Sequence, residues 1–595
     1  MSMMSNNTTS PSQYDAPGAQ CEESAAPSSI GRADLLALGA IVVLWGLMAI
    51  VVNPVGDFPL NDDWAYGLPV KWLVETGRLR LTDWGAMTLV TQVFWGALFA
   101  SIAGFSFTVL RISTLVIAAV GLAASYLVGR EVGLPRWLAM VVAGLFIVNP
   151  IFISVAHTFL TDVPFWSLTM LAVFLLLRGE RRGHAVSYWA GWATILAATL
   201  VRQLGLAIPI GLVIALALKD GFSRSWLVRA VVPTVALFAV VVAYSKVVQA
   251  TIGLSASYAH TQNSLGLVFI DLIHLRLGAL KPFLSGLGCG LMHLGWWMLP
   301  LLVLLPSFPC AGDRPGKVVL APLIVVGSAA VVTAFLWATG RLMPVGSPGC
   351  ILVDLGTGPR TLGGETPHAP VLLWVAVTAV STFGAALLVL ALASIARRSF
   401  AHLLSTRNHR PLWLSAFLII VGAVYCVPFG YYGPWFDRYL LLEMSLLGLL
   451  IAGETTRSAG RGLRPSAPRL AAAAALALVY LGFGVISTHD YLAWNRSRWE
   501  ACRSLMKPGD IAPTDISGGF EFDKYFSWQN RPGGTYGNGV GAPGMHPFGS
   551  EVGSRPRFVL AFSESPGFTL VRRSPVDRWM FLSPGQVVIL GPNPH

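Results

Sequence analysis

The chain has 595 residues, 54% of them hydrophobic and only 12% charged. Soluble domains carry about 25% charged residues, so a chain with half that share cannot cover itself with a hydrated surface. This excludes a disordered protein, a disulfide scaffold and a soluble nucleic-acid binder, and the formal charge of +12 reads first as membrane topology.

Residues 1–30 are rich in Ser, Asn, Pro and Gln and lack a secretory signal pattern, so they read as a disordered cytoplasmic leader. Apolar windows able to cross about 30 Å of hydrocarbon follow near 34–52, 108–128, 136–156, 163–178, 186–201, 203–218, 227–246, 286–306, 318–339, 370–396, 411–429, 438–453 and 469–487. Several are short or abut, which predicts about 11 to 13 transmembrane helices in an all-α polytopic membrane body over residues 31–487.

A cytoplasmic N-terminus puts Arg130 and Arg136, then Arg181 and Arg182, then Lys219, Arg224 and Arg229, and later Arg457 and Arg469 in inside loops. This is the positive-inside asymmetry, and the basic excess is expected to meet only anionic headgroups. The first outward loop, 53–107, mixes acids, Trp and Tyr with an apolar run from Met87 to Phe105, and predicts interfacial helices. A second outward segment covers 247–285, and a third, 338–370, is dense in Gly and Pro and reads as a mobile loop. After Ser487 a helix-like run from His489 to Met506 and short apolar strands predict a small extracytoplasmic α/β domain over 488–595. The six cysteines show no metal-ligand spacing; a disulfide among Cys289, Cys350 and Cys502 stays open.

Ionisable residues beside membrane spans are costly and default to functional candidates. Asn61-Asp62-Asp63-Trp64 follows the first span: two adjacent carboxylates repel, and one with a raised pKa suits a base toward a hydroxyl. Helix capping is the plainer alternative, and it explains one acid but hardly two. Asp162 lies in the tight outward turn from His157 to Pro164, where a helix start is an equally good account. Arg202-Gln203 occupies a helical hairpin turn, where an arginine either snorkels to headgroups or meets a phosphate in bidentate fashion. In Phe436-Asp437-Arg438-Tyr439 the acid and arginine either pair with each other or serve a site. Lys71, Arg341 and Tyr432 are weaker candidates, for which solvated or snorkelling roles compete. No phosphate loop, metal motif or nucleophile elbow is present.

Taken together, Asp62-Asp63-Trp64 after the first span, Arg111 opening the next, Asn149-Pro150 through Thr161-Asp162-Val163-Pro164, and Arg202-Gln203 resemble the polyprenyl-phosphate-sugar-dependent glycosyltransferases of the GT-C superfamily. That class contains the protein O-mannosyltransferases (glycosyltransferase family 39) and the lipid A aminoarabinose transferases. The resemblance covers about residues 34–250 and is carried further only by topology and Phe436 to Tyr439. It implies an acid of the first loop, Asp62 or Asp63, as general base, Asp162 as the second acid, and Arg202 near the lipid phosphate. Gln203, His157, Arg438 and Lys71 complete the expected substrate-binding set. The mannosyltransferase branch usually has Asp-Glu where this chain has Asp-Asp, which leaves the sugar open.

The expected reaction moves a sugar from a polyprenyl-phosphate donor to a hydroxyl of a glycan, lipid or protein, with inversion, at the outer face of a bacterial plasma membrane. No cofactor is required, a divalent metal is an open option, membrane lipids are partners and nucleic acid is not. The rival reading is a transporter or flippase of a lipid-linked or small solute. Such proteins usually hold ionisable groups near the bilayer midplane, whereas the acids here cluster at one face.

Overall fold

The computed structural model describes residues 30–82, 84–251, 270, 274, 277–305, 315–344, 350–405, 410–431, 436–459, 463–507, 509, 511–529 and 556–592. The helices are α1 (Arg32–Val52), α2 (Asp63–Thr76), α3 (Val90–Ala103), α4 (Phe107–Val132), α5 (Arg136–Ile147), α6 (Pro150–Ala156), α7 (Asp162–Arg182), α8 (Ala185–Thr199) and α9 (Ala207–Asp220). They continue with α10 (Arg224–Thr251), α11 (Leu277–Trp297), α12 (Leu299–Leu304), α13 (Pro315–Ala338), α14 (Val371–Ser405), α15 (Trp413–Tyr431), α16 (Leu440–Ala459), α17 (Ala467–Met506) and α18 (Phe520–Gln529). Strands β1 (Ile516–Ser517), β2 (Phe558–Ala561), β3 (Phe568–Pro575) and β4 (Gln586–Pro592) form one sheet in the order β1-β2-β4-β3, with β1 parallel to β2 and the other pairs antiparallel.

Among the described residues nine helices are long and apolar enough to cross a membrane, and α5 with α6, bent 63° at their break, would add a tenth. The chain is a multi-pass membrane protein. Three of the expected windows fall on shorter or divided helices. The α8 helix has 15 residues, 286–306 is split between α11 and α12, and the apolar stretch of α13 is Pro322–Ala338. Hydropathy alone merges such pieces because it does not register where the backbone turns.

Local chemistry explains the breaks nearest the site. Pro150 lacks an N–H and opens α6, while the Asn149 side chain accepts the N–H groups of Ile151 at 2.8 Å and Phe152 at 3.1 Å. Ser106 caps α4 through the Val109 N–H, and Asn53 ends α1 in the left-handed conformation. As expected, the loop over 53–107 forms two helices too short to span, α2 and α3, of 14 residues each. Phe94, Leu98 and Ile102 of α3 stay exposed, as an interfacial helix requires.

Two expectations change. The end of the bundle opposite that loop is not merely a headgroup-facing basic rim. There Asp34 holds Arg130 at 3.1 Å and Arg136 at 3.2 Å, Glu131 holds Arg182 at 2.8 Å, and Glu180 holds Lys219 at 2.7 Å and also Arg229. Each acid lies on the face of a helix, where a loop-by-loop charge count does not register it as a partner. The described part of the third outward loop is likewise packed. Ile351 and Leu352 are buried with their N–H groups on the Asp437 carboxylate, and Gly363 pairs in parallel with Ala561 of β2. Gly and Pro density reports backbone freedom but not the partners that remove it. Residues 1–29, nearly all of the expected leader, and most of 247–285 fall outside the described residues.

The α17 helix, 40 residues or about 60 Å long, runs through position 488 without a break. Its first half is apolar, and its second half, from Ser487 to Cys502, is largely buried beneath the sheet and α18. Asp490 fastens the sheet by accepting the N–H groups of Trp579 at 2.7 Å and Met580 at 2.9 Å. Cys289 and Cys502 are free thiols.

Candidate active site

Asp62 stands at the cap position of α2, yet its side chain caps no backbone N–H; it accepts the Trp84 indole N–H at 2.8 Å. The capping alternative therefore fails for this residue. Asp63 turns the other way, is 0% exposed, and accepts the N–H groups of Phe159 at 2.7 Å and Leu60 at 3.3 Å. Burial pushes the Asp63 carboxyl up to about 8, against the pull of Arg111 and the two N–H donors. Burial also raises Asp62; Arg438 and the indole N–H oppose this, while Glu521 and Asp162 add to it. The paired acids thus divide. Asp63 fastens the first loop to the 157–161 turn, and Asp62 bonds the Trp84 indole.

Asp162 opens α7 and is buried, with Oδ1 2.9 Å from Arg202 Nη1 and Oδ2 3.4 Å from Arg438 Nε. Helix start and ion pair coexist here, because a helix's first turn favours a carboxylate and leaves its oxygens pointing outward. Arg202 also donates Nε to the Thr161 hydroxyl at 2.7 Å, and its guanidinium lies 5.0 Å from the Tyr439 ring centre. Burial works against the Arg202 charge, but Asp162 and the neighbouring tyrosines hold its pKa above the ordinary arginine value. Arg438 sits 4.4 Å from the Phe436 ring centre and 5.4 Å from that of Tyr439. Asp437 accepts the N–H groups of Ile351, Leu352 and Arg438 at 2.9, 2.8 and 2.9 Å, while Arg438 Nε lies 3.4 Å from Asp162 Oδ2.

Other expected site residues have different work. Gln203 Nε2 donates to the Ala86 carbonyl at 3.3 Å, beside bonds from the Leu89 N–H to the Val201 carbonyl and from the Thr88 hydroxyl to the Thr199 carbonyl, so the 199–203 turn grips the first loop. His157 is buried with Nδ1 2.7 Å from the Ile153 carbonyl, and burial lowers it to about 4, so it is neutral and packs the turn. Lys71 lies 4.0 Å from Glu75 one turn along α2, a partly exposed ion pair. The structure thus places His157 in the core of the turn and Lys71 on a partly exposed face of α2, each with a protein partner. Arg111 likewise braces the loop, donating to the carbonyls of Pro54, Gly56 and Phe58. Tyr432 lies outside the described residues. Among the described residues no group of three or more His, Cys, Asp or Glu is placed to hold a metal.

Sequence reading missed Trp84 as a partner of Asp62, and it missed Glu521 altogether. Glu521 on α18 is 0% exposed and accepts the Asn61 N–H at 3.0 Å, the Thr361 hydroxyl at 2.8 Å and Arg498 Nη1 at 2.8 Å. Its contacts join positions hundreds of residues apart, for which no spacing rule exists.

No protein-family model matches the chain, and no curated protein matches it by sequence. Solved structures do. The apo oligosaccharyltransferase of Archaeoglobus fulgidus aligns at 14% identity and a TM-score of 0.42, over 80% of this chain and 58% of that one. The Pmt1-Pmt2 protein O-mannosyltransferase complex of S. cerevisiae, bound to the sugar donor, aligns at 16% and 0.32, over 39% of this chain and 36% of that one. ArnT of Cupriavidus metallidurans, bound to undecaprenyl phosphate, aligns at 12% and 0.35, over 96% and 100%. The overlap with the first two thus covers less than two thirds of their length, and the overlays are loose. The chemistry proposed below rests on this chain's own side chains.

Proposed function

We propose that this protein is a membrane glycosyltransferase that moves a sugar from a polyprenyl-phosphate donor to a hydroxyl acceptor, with inversion at the anomeric carbon. One observation carries this reading. Asp62, Asp162, Arg202 and Arg438 come from four separate stretches of chain and converge electrostatically at one end of the bundle, where Asp162 pairs with both arginines and Asp62 bonds the Trp84 indole.

Each group suits one part of the transfer. The acceptor oxygen attacks the anomeric carbon, and Asp62 takes its proton; a carboxylate raised by burial is a stronger base than a solvated one. The bond from that carbon to the phosphate oxygen breaks, and the electron pair leaves with the phosphate. Arg202 and Arg438, already buried and aimed by Asp162 and Thr161, neutralise the growing charge without reorganising. Asp162 also offsets positive charge developing on the sugar. The lipid tail would remain among the apolar helices.

The body over 31–487 and the region from 488 to 595 complete the reading: the first loop and the C-terminal sheet face outward from a bacterial plasma membrane, with the N-terminus inside. The acceptor is a glycan, lipid or protein hydroxyl. The test is purified protein with a radiolabelled polyprenyl-phosphate sugar. Transfer to an acceptor or to water, lost in Asp62→Asn, supports the enzyme; lipid translocation without transfer overturns it in favour of a transporter.

A further inference from the structure

We infer that Glu521 is a positioning residue for Asp62, acting through the backbone of Asn61, so that the C-terminal segment sets the proposed base; this rests on the transferase reading above. Asn61 is in the left-handed region, φ 51°, a conformation that asparagine tolerates better than other non-glycine residues and that a fixed partner can select. That partner is the Glu521 carboxylate, whose Oε1 receives the Asn61 N–H at 3.0 Å. Asn61 immediately precedes Asp62, so the direction of the Asp62 side chain follows from this turn.

Glu521 is itself over-determined. Arg498, 0% exposed, and Thr361 both bind Oε2, and Arg498 also donates to the Thr361 hydroxyl at 2.7 Å. Gly519, at φ 91°, lets the chain enter α18 there: a Cβ at this position would sit 3.0 Å from both Arg498 Nη1 and the Thr361 carbonyl. Phe520, next to Glu521, lies 5.5 Å from the Trp84 ring centre and 6.3 Å from that of Trp64, so the same turn also backs the indole that bonds Asp62.

The charges that Asp62 meets are Asp63 beside it, Asp162 from α7, Arg438 from the turn before α16 and Glu521 from α18. The negative charge of Glu521 adds to burial in raising Asp62. Removing it lowers the Asp62 pKa, so the basic form persists to lower pH.

Two full-length variants separate charge from reach. Glu521→Gln keeps the length and drops the charge: kcat should fall about tenfold, and the acid limb of its pH profile should move to lower pH, with donor KM within about twofold of wild type. Glu521→Asp keeps the charge but withdraws the carboxylate from Asn61: kcat should fall similarly with the limb unmoved. If the Gln variant fails to fold, the Asp variant decides alone. Wild-type transfer with kcat and limb unchanged in the folded variants, or a loss confined to donor KM, overturns this inference and leaves the transferase reading intact. A wild type without transfer sinks the reading itself.

Discussion

The two ends of α7 each carry a carboxylate held between two cations, and they differ in what those cations can reach. At one end Asp162 lies between Arg202 and Arg438, whose side chains are 3% and 6% exposed. At the other, Glu180 lies between Lys219 and Arg229, at 26% and 32%. Both acids are 2% exposed. The Glu180 cluster ties helices together while its cations keep part of their hydration, so it behaves as a strap. Sealed arginines around Asp162 instead form a fixed positive site beside a second acid, Asp62, on which Arg438 also acts. The same three charges thus give a clamp or a pocket, depending on where water stops.

The largest expected effect tests the pocket. Asp62→Asn should lower transfer about a thousandfold, within the range for removing a general base, with the thermal unfolding midpoint in detergent unchanged. Glu180→Gln should leave transfer within about twofold of wild type. Equal loss of activity in both variants would erase the distinction between the two ends.

Stability should then rank the ends in the same order. Asp162→Asn strands two sealed arginines and should cost about 3 kcal/mol, as breaking a buried pair does. Glu180→Gln should cost about 1 kcal/mol, because Lys219 and Arg229 can turn back to water. Thermal unfolding of the two purified variants side by side checks this, and a larger loss at Glu180 would contradict the exposure argument.

Much of this was legible in the sequence. The hydrophobic windows locate most helices, the short first-loop helices follow from their length, and the position of Asp62-Asp63 after the first span singles out the acid that the proposed function uses as a base. What the sequence does not separate is the two acids, since neighbours in a turn diverge according to which backbone N–H groups are near, and the Phe159 N–H that captures Asp63 is far along the chain. His157 and Lys71 resemble site residues by type and place, but residue type does not register that His157 bonds the Ile153 carbonyl in the core or that Lys71 pairs with Glu75 along α2. Glu521 and Arg498 lie in a region whose composition suggests only a small soluble fold. Their roles arise from α17 carrying the chain back over the first loop, which hydropathy does not encode.

A pH measurement sharpens the division between the paired acids. Asp63 titrates at about 8 in the folded protein and at about 4 when unfolded, so between these values the folded state binds the extra proton. Stability contributed by the neutral form is therefore greatest below about pH 4 and is lost as pH rises toward 8. Thermal midpoints taken from pH 5 to 8 should fall with pH in the wild type, and that slope should flatten in Asp63→Asn, which cannot ionise. A slope that survives the substitution would mean that another group carries it, and burial would no longer account for a neutral Asp63 near pH 7.

The smallest expected effect concerns Lys71. Its ammonium is partly exposed, with Glu75 at 4.0 Å as its partner, and exposed pairs at this spacing contribute about 0.3 to 0.5 kcal/mol. Lys71→Ala should therefore leave transfer and donor KM within about twofold of wild type and shift the unfolding midpoint by no more than about a degree or two. A tenfold rise in donor KM would place a third cation in the phosphate site and show that α2 changes orientation when the lipid binds, which would also reopen the assignment of Arg202 and Arg438 as the groups that receive the leaving phosphate.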